Sequence, residues 1–405
     1  MNLRGLTWDH PRGYQPLEAA SARFGELHGV EIGWARRSLK EFGDTPIDTL
    51  AGDFDLLVID HPHVGIAAQC DCLVPLDSLL DQATLATLSA ESAGPSFDSY
   101  RYGARQWALA VDASMQTSCF RPGLLPVQPP RDWPAVLDLA AVLRRRGRWM
   151  AVPLVPTDAV CCFLTLCAGA GGGLREDADF VAPRVGLHAL RLLRTLALAA
   201  HPASLSWNPI ELYEAMSGSD EIAYCPIGFC YSNYARNDYR SRRLEFADLP
   251  GGRGSLLGGA GIAVSKSCRE PGVAAAFAAW LCSAEQQRGL YVDAAGQPAS
   301  RSAWLDERAN SLTNGFFSGT FATLRHAYVR PRDHGFVAFQ EYAGRRIHDF
   351  LTTAAEGNAT ADATAEPAAD PAAVARGESD AESDAAACFA DLAEAFRDRR
   401  VSRSW

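Results

Sequence analysis

No apolar run in the 405-residue sequence approaches the roughly 20 residues that a membrane-spanning helix needs. A basic stripe interleaved with aromatic residues is also missing. The formal net charge is −10 and the sequence pI is about 5.4. These features argue against a membrane-spanning protein and against a nucleic-acid binder.

Several catalytic motifs are absent as well. The sequence contains no HExxH and no G-x-S-x-G nucleophile elbow. The glycine run at 169–173 lacks both the Lys-Ser/Thr of a P-loop and the spacing of a dinucleotide fingerprint, so it predicts a turn.

The N-terminus lacks the basic and apolar regions of a signal peptide, because the first predicted strand already begins at Leu3. There are 11 cysteines, and several lie in apolar helical context, which favours buried thiols in a reducing compartment. Cys70 and Cys72 have no second cysteine pair at zinc spacing. These features predict a cytoplasmic location if Met1 is the native start.

The segment FDLLVIDHPHVG, residues 54–65, has the pattern of a strand buried on both faces. Asp60, His61 and His63 follow it around Pro62, where the strand must end. Ligands of open α/β sheets bind beyond the carboxyl ends of the strands. This cluster is therefore a candidate site.

The first predicted strand, residues 3–8, ends in the same chemistry, with Trp8, Asp9 and His10 before a proline. If the two strands are neighbours, both Asp-His-Pro loops converge on one cleft. The alternative is that Asp9 and Asp60 cap the helices that follow and that the histidines are ordinary loop residues.

The remaining pattern alternates strands and helices, and the β-α-β-α-β start predicts a parallel sheet. Two strands are expected at 102–111 and 115–120, joined at 112–114. A glycine-rich loop is expected at 250–261 before a strand at 262–265. Residues 357–387 are rich in alanine and acidic residues with few large apolar side chains, and they predict a disordered loop.

The order of these segments resembles the extracellular solute-binding proteins of ABC importers, of the family-1 sugar-binding type related to maltose-binding protein. The matching stretches are DLLVIDHPHVG, LVPLDSLL, QWALAVDASMQTSCFRPGLL followed by RDWPAVLDLAAVLRRRG, and GGAGIAVSKSCREPGVAAAFAAWLCSAEQQR. The resemblance covers most of residues 1–355.

The resemblance implies an α/β, two-lobe periplasmic-binding-protein-like fold of type II, each lobe a mainly parallel sheet flanked by helices, with a hinge between the lobes. Lobe one is expected at 1–111 plus 258–306, and lobe two at 112–257 plus 307–405. A sugar-like solute would bind in the interlobe cleft of a monomer, without cofactor or catalysis, and closure would present it to a membrane permease. The family location is the periplasm.

On this interpretation the second lobe supplies the opposing wall of the cleft. The expected residues are Trp207, Asn208, Tyr231 and Tyr234, with Asp112 and Gln116 near the crossing. Trp207 could equally be a core residue and the tyrosines packing residues. An aromatic and acidic pocket suits either a sugar or a quaternary ammonium compound, and the sequence leaves this choice open.

Two alternatives remain. One is a metal-dependent enzyme that uses His10, His61 and His63 with Asp60 or Asp9, because imidazole and carboxylate bind zinc or iron. The other is a cytosolic sensor that uses the same cleft and reports its ligand to a protein partner.

Overall fold

The structure is a computed structural model that describes residues 1–177, 179–364 and 371–399. Its strands are β1 (Asn2–Trp8), β2 (Glu31–Arg37), β3 (Leu56–Ile59), β4 (Leu73–Val74), β5 (Arg101–Tyr102), β6 (Arg105–Gln106), β7 (Leu109–Phe120), β8 (Trp149–Met150), β9 (Ile222–Phe229), β10 (Glu245–Ala247) and β11 (Leu257–Ser265).

Most helices begin next to a capping residue or a proline that the sequence shows. They are α1 (Pro11–His28), α2 (Leu39–Asp44), α3 (Val64–Cys70), α4 (Gln82–Ala90), α5 (Ser96–Ser99), α6 (Trp133–Arg145), α7 (Pro156–Gly169), α8 (Pro183–Ala199), α9 (Pro209–Gly218), α10 (Pro271–Leu281), α11 (Ala284–Gln286), α12 (Arg301–Trp304), α13 (Glu307–Leu312), α14 (Phe316–Arg325), α15 (Phe336–Thr364) and α16 (Pro371–Asp398).

The main sheet has the strand order β2-β1-β3-β11-β7-β9-β8, with β10 paired to β7 and β4 paired to β11. Pairing is parallel where β1 meets β2 and β3, as the β-α-β-α-β pattern predicts, and where β8 meets β9. The central strands β7 and β11 pair antiparallel with each other and with β9 and β3. The sheet is therefore mixed.

The buried apolar side chains form two sets of clusters. The first set joins β1, β3, α1 and α10, and we call the elements β1–β6, α1–α5, α10 and α11 the first half. The second set joins β8, β9, α7, α8 and α15, and we call β8–β10, α6–α9 and α12–α16 the second half. Strands β7 and β11 contribute side chains to both sets, so they connect the two halves.

The two strands expected at 102–111 and 115–120 prove wrong, because β7 runs without a break from Leu109 to Phe120. Asp112, Ala113 and Ser114 stay in the ladder opposite Ala260, Gly259 and Gly258. A buried carboxylate is tolerated inside this strand because Arg12 pairs with it.

The glycine-rich loop expected at 250–261 is also partly wrong, because β11 already begins at Leu257. Gly259 has φ +106°, and a Cβ there would lie 2.3 Å from the carbonyl oxygen of Asp112. The glycines therefore permit the close approach of β7 and β11 rather than a loop.

The disordered loop expected at 357–387 differs from the structure, where α15 extends to Thr364 and α16 begins at Pro371. Residues 365–370 of that stretch lie outside the described residues. Alanine is the strongest helix former, so a composition too poor in apolar residues for a core can still form helix. Ala385 and Cys388 are fully buried against the second half.

Within the described ranges, every helix is too short or too polar to cross a lipid bilayer.

A contact between the halves generates a stability prediction. Replacing Gly65 by Ala is expected to lower the free energy of unfolding by about 1–3 kcal/mol. The added Cβ would lie 1.8 Å from the carbonyl oxygen of Arg332, a backbone atom that cannot turn away. Urea unfolding measures the loss. The matched control is Gly33→Ala in β2, where nothing lies within 4 Å of the added carbon. Equal stability of the two variants would contradict the close packing.

Candidate functional site

A cavity of about 440 Å³ lies between the two halves, beside the crossing of β7 and β11. Its floor comes from these two strands, and its walls come from both halves. The first half supplies Trp8, Arg12, Leu39, Lys40, Phe42, Gly43, Asp44 and Asp60, and the crossing strands supply Asp112, Ser114, Gly258 and Gly259. The second half and the segment before α15 supply Val155, Pro156, Thr157, Asp158, Cys161, Ser206, Asn208, Pro209, Glu211, Phe229, Tyr231, Arg330, Gln340, Glu341 and Arg345.

Aromatic rings line both walls. Trp8 and Phe42 pack with ring centroids 5.2 Å apart on the first half. Phe229 and Tyr231 follow from the end of β9 on the second half. Flat apolar faces beside polar groups suit a polar ligand with an apolar face, such as a sugar ring.

The Arg12–Asp112 pair joins the start of α1 to the crossing strand β7. Arg12 Nε donates to Asp112 Oδ2 over 2.8 Å, a second guanidinium nitrogen contacts Oδ1, and Nη1 donates to the carbonyl oxygen of Cys230 over 2.8 Å. The Tyr231 ring centroid lies 4.6 Å from the same guanidinium. Burial disfavours the charged form, but Asp112 outweighs burial and raises the pKa of Arg12, which stays charged.

The Asp60–Arg330 pair is the second buried ion pair on the wall. Arg330 Nη2 donates to both carboxylate oxygens of Asp60, over 2.8 and 2.6 Å, and Nη1 donates to Gln340 Oε1 over 2.8 Å. Asp60 also accepts from the backbone N–H of His61. Burial alone would raise the pKa of Asp60, but Arg330 and the neighbouring histidines hold it below its usual range.

Asp158 differs from these two carboxylates. It lies in the first turn of α7, is 7 % exposed and lines the cavity. Among the described residues no side chain or backbone group forms a hydrogen bond or ion pair with its carboxylate. Burial, with the nearby charges of Asp44 and Glu211, raises the pKa of Asp158 well above its ordinary value.

Five of the residues expected at the site do line this cavity: Trp8, Asp60, Asp112, Asn208 and Tyr231. Asn208 lines it while capping α9, since its Oδ1 accepts from the backbone N–H groups of Ile210 and Glu211. The structure thus brings together Trp8 at the end of β1, Asp60 after β3 and two of the four residues predicted for the opposing wall, Asn208 and Tyr231.

The other expected residues do not reach the cavity: Asp9, His10, His61, His63, Gln116 and Trp207, together with Tyr234. Asp9 is exposed and lies 3.6 Å from Arg36 Nη1. Gln116 is buried in β7, where its Oε1 accepts from Thr165 Oγ1. Trp207 stacks on His201 with centroids 5.1 Å apart, so the packing interpretation of this residue fits the structure better.

The three histidines are packing and capping groups. His10 is the N-cap of α1, where its Nδ1 accepts from the Arg12 N–H, and burial with Arg12 and Arg240 lowers its pKa to about 3. His61 and His63 form a 3₁₀ turn behind Asp60, and burial lowers the pKa of each to about 4. All three imidazoles are therefore neutral at pH 7.

In the parts of the chain that the structure describes, no group of three or more histidine, cysteine, aspartate or glutamate side chains is placed to hold a metal ion. His10 lies at the start of α1 against Tyr231, whereas His61 and His63 lie in the turn after β3. The histidines named for the metal-dependent alternative therefore lie in two different parts of the structure.

The sequence interpretation missed Arg12, Arg330 and Asp158. Arg12 follows a singled-out histidine by two residues, and Asp158 follows the Pro156 that begins an apolar helix. Both positions were therefore next to visible signals. Arg330 carries no local signal, because its partner Asp60 is 270 residues away in the sequence.

The buried Asp60–Arg330 pair generates a stability prediction. Asp60→Asn is expected to lower the free energy of unfolding at pH 7 by about 3 kcal/mol or more, because Arg330 is left buried without its counter-charge. Since the folded-state pKa of Asp60 is depressed, its contribution is present above about pH 4 and is lost as the pH falls below it. Denaturant unfolding of the wild-type protein and Asp60→Asn between pH 7 and pH 3 measures the difference in their free energies of unfolding, which should become smaller as the pH falls.

The matched control is Glu26→Gln, which breaks the exposed Arg23–Glu26 pair. Little change is expected there, because solvent screens exposed pairs. If Glu26→Gln lowered the free energy of unfolding as much as Asp60→Asn, burial could not be the cause of the larger effect expected at Asp60.

Comparison with known proteins places the chain in a family. A family model described as bacterial extracellular solute-binding protein matches residues 22–312. No curated protein sequence matches the chain.

Solved structures of similar shape include the maltose-bound MalE3 of T. maritima, 16% identical, with a TM-score of 0.75 over 96% of this chain and 99% of that one. An ABC transporter solute-binding protein from Thermotoga lettingae bound with α-D-tagatose is 16% identical, with a TM-score of 0.75 over 98% and 99%. The GacH receptor of Streptomyces glaucescens, solved unliganded and with acarbose, is 16% identical, with a TM-score of 0.71 over 97% and 98%.

These likenesses confirm the predicted two-lobe α/β fold. The matched residues, 22–312, are well over half of the chain, and they confirm the predicted resemblance. The chain therefore belongs to the family of bacterial extracellular solute-binding proteins.

Proposed function

We propose that this protein is the substrate-binding component of an ABC importer and that it captures a small sugar-like solute in the cavity between its two lobes, without catalysis. The observation that carries the proposal is the cavity itself. It has about 440 Å³, lies beside the crossing strands, and combines aromatic faces from both halves with directed polar groups. This volume falls in the range of small-molecule sites.

The solved relatives support the ligand class. One was solved with maltose, one with α-D-tagatose and one with acarbose. The walls here offer what a sugar needs: rings for its apolar face, and carboxylates, amides and hydroxyls such as Asp44, Asn208 and Ser114 for its hydroxyl groups.

The proposed lobes are residues 1–111 plus 258–306 and residues 112–257 plus 307–405, with β7 and β11 as the hinge. The apolar clusters support this division, although Trp304 already packs with the second half. Closure about the two strands would present the loaded protein to a membrane permease.

The proposed location is outside the cytoplasm, as the family description implies. The cysteines do not oppose it. Most of them are buried, and burial raises the pKa of thiols such as Cys161 and Cys282, which keeps them in the less reactive protonated form. The alternatives of an enzyme and a cytosolic sensor have no specific observation in their favour.

The first prediction of this proposal concerns a wall residue. Phe229→Ala is expected to weaken the affinity for a bound saccharide about threefold to tenfold, because a stacking surface is lost. A thermal-shift screen of mono- and disaccharides first identifies a binder, since a ligand of the folded form raises the melting temperature. Calorimetric titration then compares the variants.

The control is Phe54→Ala, a half-buried phenylalanine that packs under Arg4 and does not line the cavity. Its affinity should equal that of the wild-type protein. Failure of every saccharide in the screen to shift the melting temperature would overturn the proposed ligand class.

The second prediction concerns closure. Adding the saccharide that the screen identifies is expected to leave a monomer in solution and to decrease its radius of gyration, measured by small-angle scattering. Binding with an unchanged radius of gyration would contradict hinge closure as the response to the ligand.

A further inference from the structure

The charged side chains that line the cavity do not balance. The carboxylates are Asp44, Asp60, Asp112, Asp158, Glu211 and Glu341, and the cations are Arg12, Lys40, Arg330 and Arg345, six against four. Each cation is already paired with one of these carboxylates. The pairs are Arg12–Asp112, Lys40–Asp44, Arg330–Asp60 and Arg345–Glu341. Asp158 and Glu211 remain.

Glu211 has a structural partner. Its Oε2 accepts from the backbone N–H of Asn208 over 2.8 Å, which completes the capping box of α9. Asp158 has none among the described residues, although it is 93 % buried, being 7 % exposed. It is the one wall carboxylate, in the part of the chain that the structure describes, that no protein group satisfies.

A buried carboxylate without a protein partner destabilises a protein, and the charges of Asp44 and Glu211 on the same wall add repulsion. The N-terminal turn of α7 offsets only part of this cost, because a helix terminus contributes about 1 kcal/mol. Such a group is stabilised when a ligand brings a cationic hydrogen-bond donor into the cavity.

We propose that the ligand is an amine-bearing sugar and that its protonated amine pairs with Asp158. This inference rests on the proposed function and specifies the class of saccharide. An ammonium group supplies N–H donors and a positive charge together, and it makes the strong type of hydrogen bond. A quaternary ammonium compound lacks those donors and would leave the carboxylate oxygens unsatisfied. The nearby aromatic faces also favour a cation over a neutral group.

Matched probes separate this proposal from plain sugar binding. Calorimetric titration compares D-glucosamine with D-glucose and N-acetyl-D-glucosamine, and deacetylated chitobiose with its diacetyl form. The amines are expected to bind the wild-type protein at least tenfold more tightly than their neutral counterparts.

Asp158→Asn is expected to reduce this preference to less than twofold, since the amide keeps the shape but cannot ionise to pair with the ammonium group. The control is Glu18→Gln, which breaks an exposed ion pair with Arg36 outside the cavity and should keep the preference. Neutral sugars that bind as tightly as the amines would overturn this inference and leave the proposed function standing. No binding of either kind would overturn the proposed function itself.

A second readout needs no ligand. The pKa of Asp158 is raised in the folded protein, so burial of its charge costs stability increasingly as the pH rises above about 4. The melting temperature of ligand-free Asp158→Asn should therefore exceed that of the wild-type protein at pH 7–8, and the gap should close towards pH 4. A lower melting temperature for Asp158→Asn throughout this range would show that Asp158 is a structural residue and would overturn the proposal.

Discussion

The antiparallel pairing of β7 with β11 is the constraint on which the rest of the structure depends. These strands carry side chains into both sets of apolar clusters, and the cavity lies beside their crossing. Their close approach needs the backbone of Gly259 at φ +106°, where any Cβ would collide with the carbonyl oxygen of Asp112. The same stretch of β7 places Asp112 on the cavity floor, which requires Arg12 from α1 to balance it. The pairing of β7 with β11 therefore also determines which charged groups line the cavity.

Buried ion pairs of this kind contribute little net stability, because desolvation of both groups offsets their attraction. Arg12–Asp112 and Arg330–Asp60 instead fix positions: each guanidinium holds a carboxylate and a second acceptor, Cys230 O in one case and Gln340 Oε1 in the other. Both guanidinium groups already donate hydrogen bonds to protein acceptors. The wall that they form is polar, and the two ion pairs balance each other's charge. Asp158 differs from it, because none of the described residues pairs with its carboxylate, and this difference is the basis of the proposed recognition of a cation.

Periodicity and capping signals predicted the elements well, because they depend on neighbours in sequence. The strand at 56–59, the helix after Asp132 and the Asp-His-Pro loops follow from local chemistry. The sequence interpretation was wrong about the histidines because the pattern predicts their position after a strand but not the direction in which their side chains point. His61 and His63 turn into the protein behind Asp60. Arg330 could not be predicted, because its partner Asp60 is 270 residues away in the sequence and the two come together only in the folded chain.

The contacts between the halves also constrain how the proposed closure can proceed. On one side of the cavity they are buried and tight. Arg330 donates hydrogen bonds to Asp60, and the backbone of Arg332 lies against Gly65. On the other side the hydrogen bond from Thr157 Oγ1 to Asp44 joins the halves, and the neighbouring Lys40 and Arg345 side chains are exposed and pair within their own helices. Breaking the first set would leave buried charges unpaired, whereas breaking the second set transfers polar groups to water at little cost. Of these two edges, the one between α2 and the start of α7 therefore separates at the lower cost when the halves move about β7 and β11. That edge is where Asp158 lies, so a cationic ligand entering there would meet its counter-charge before the halves close over it.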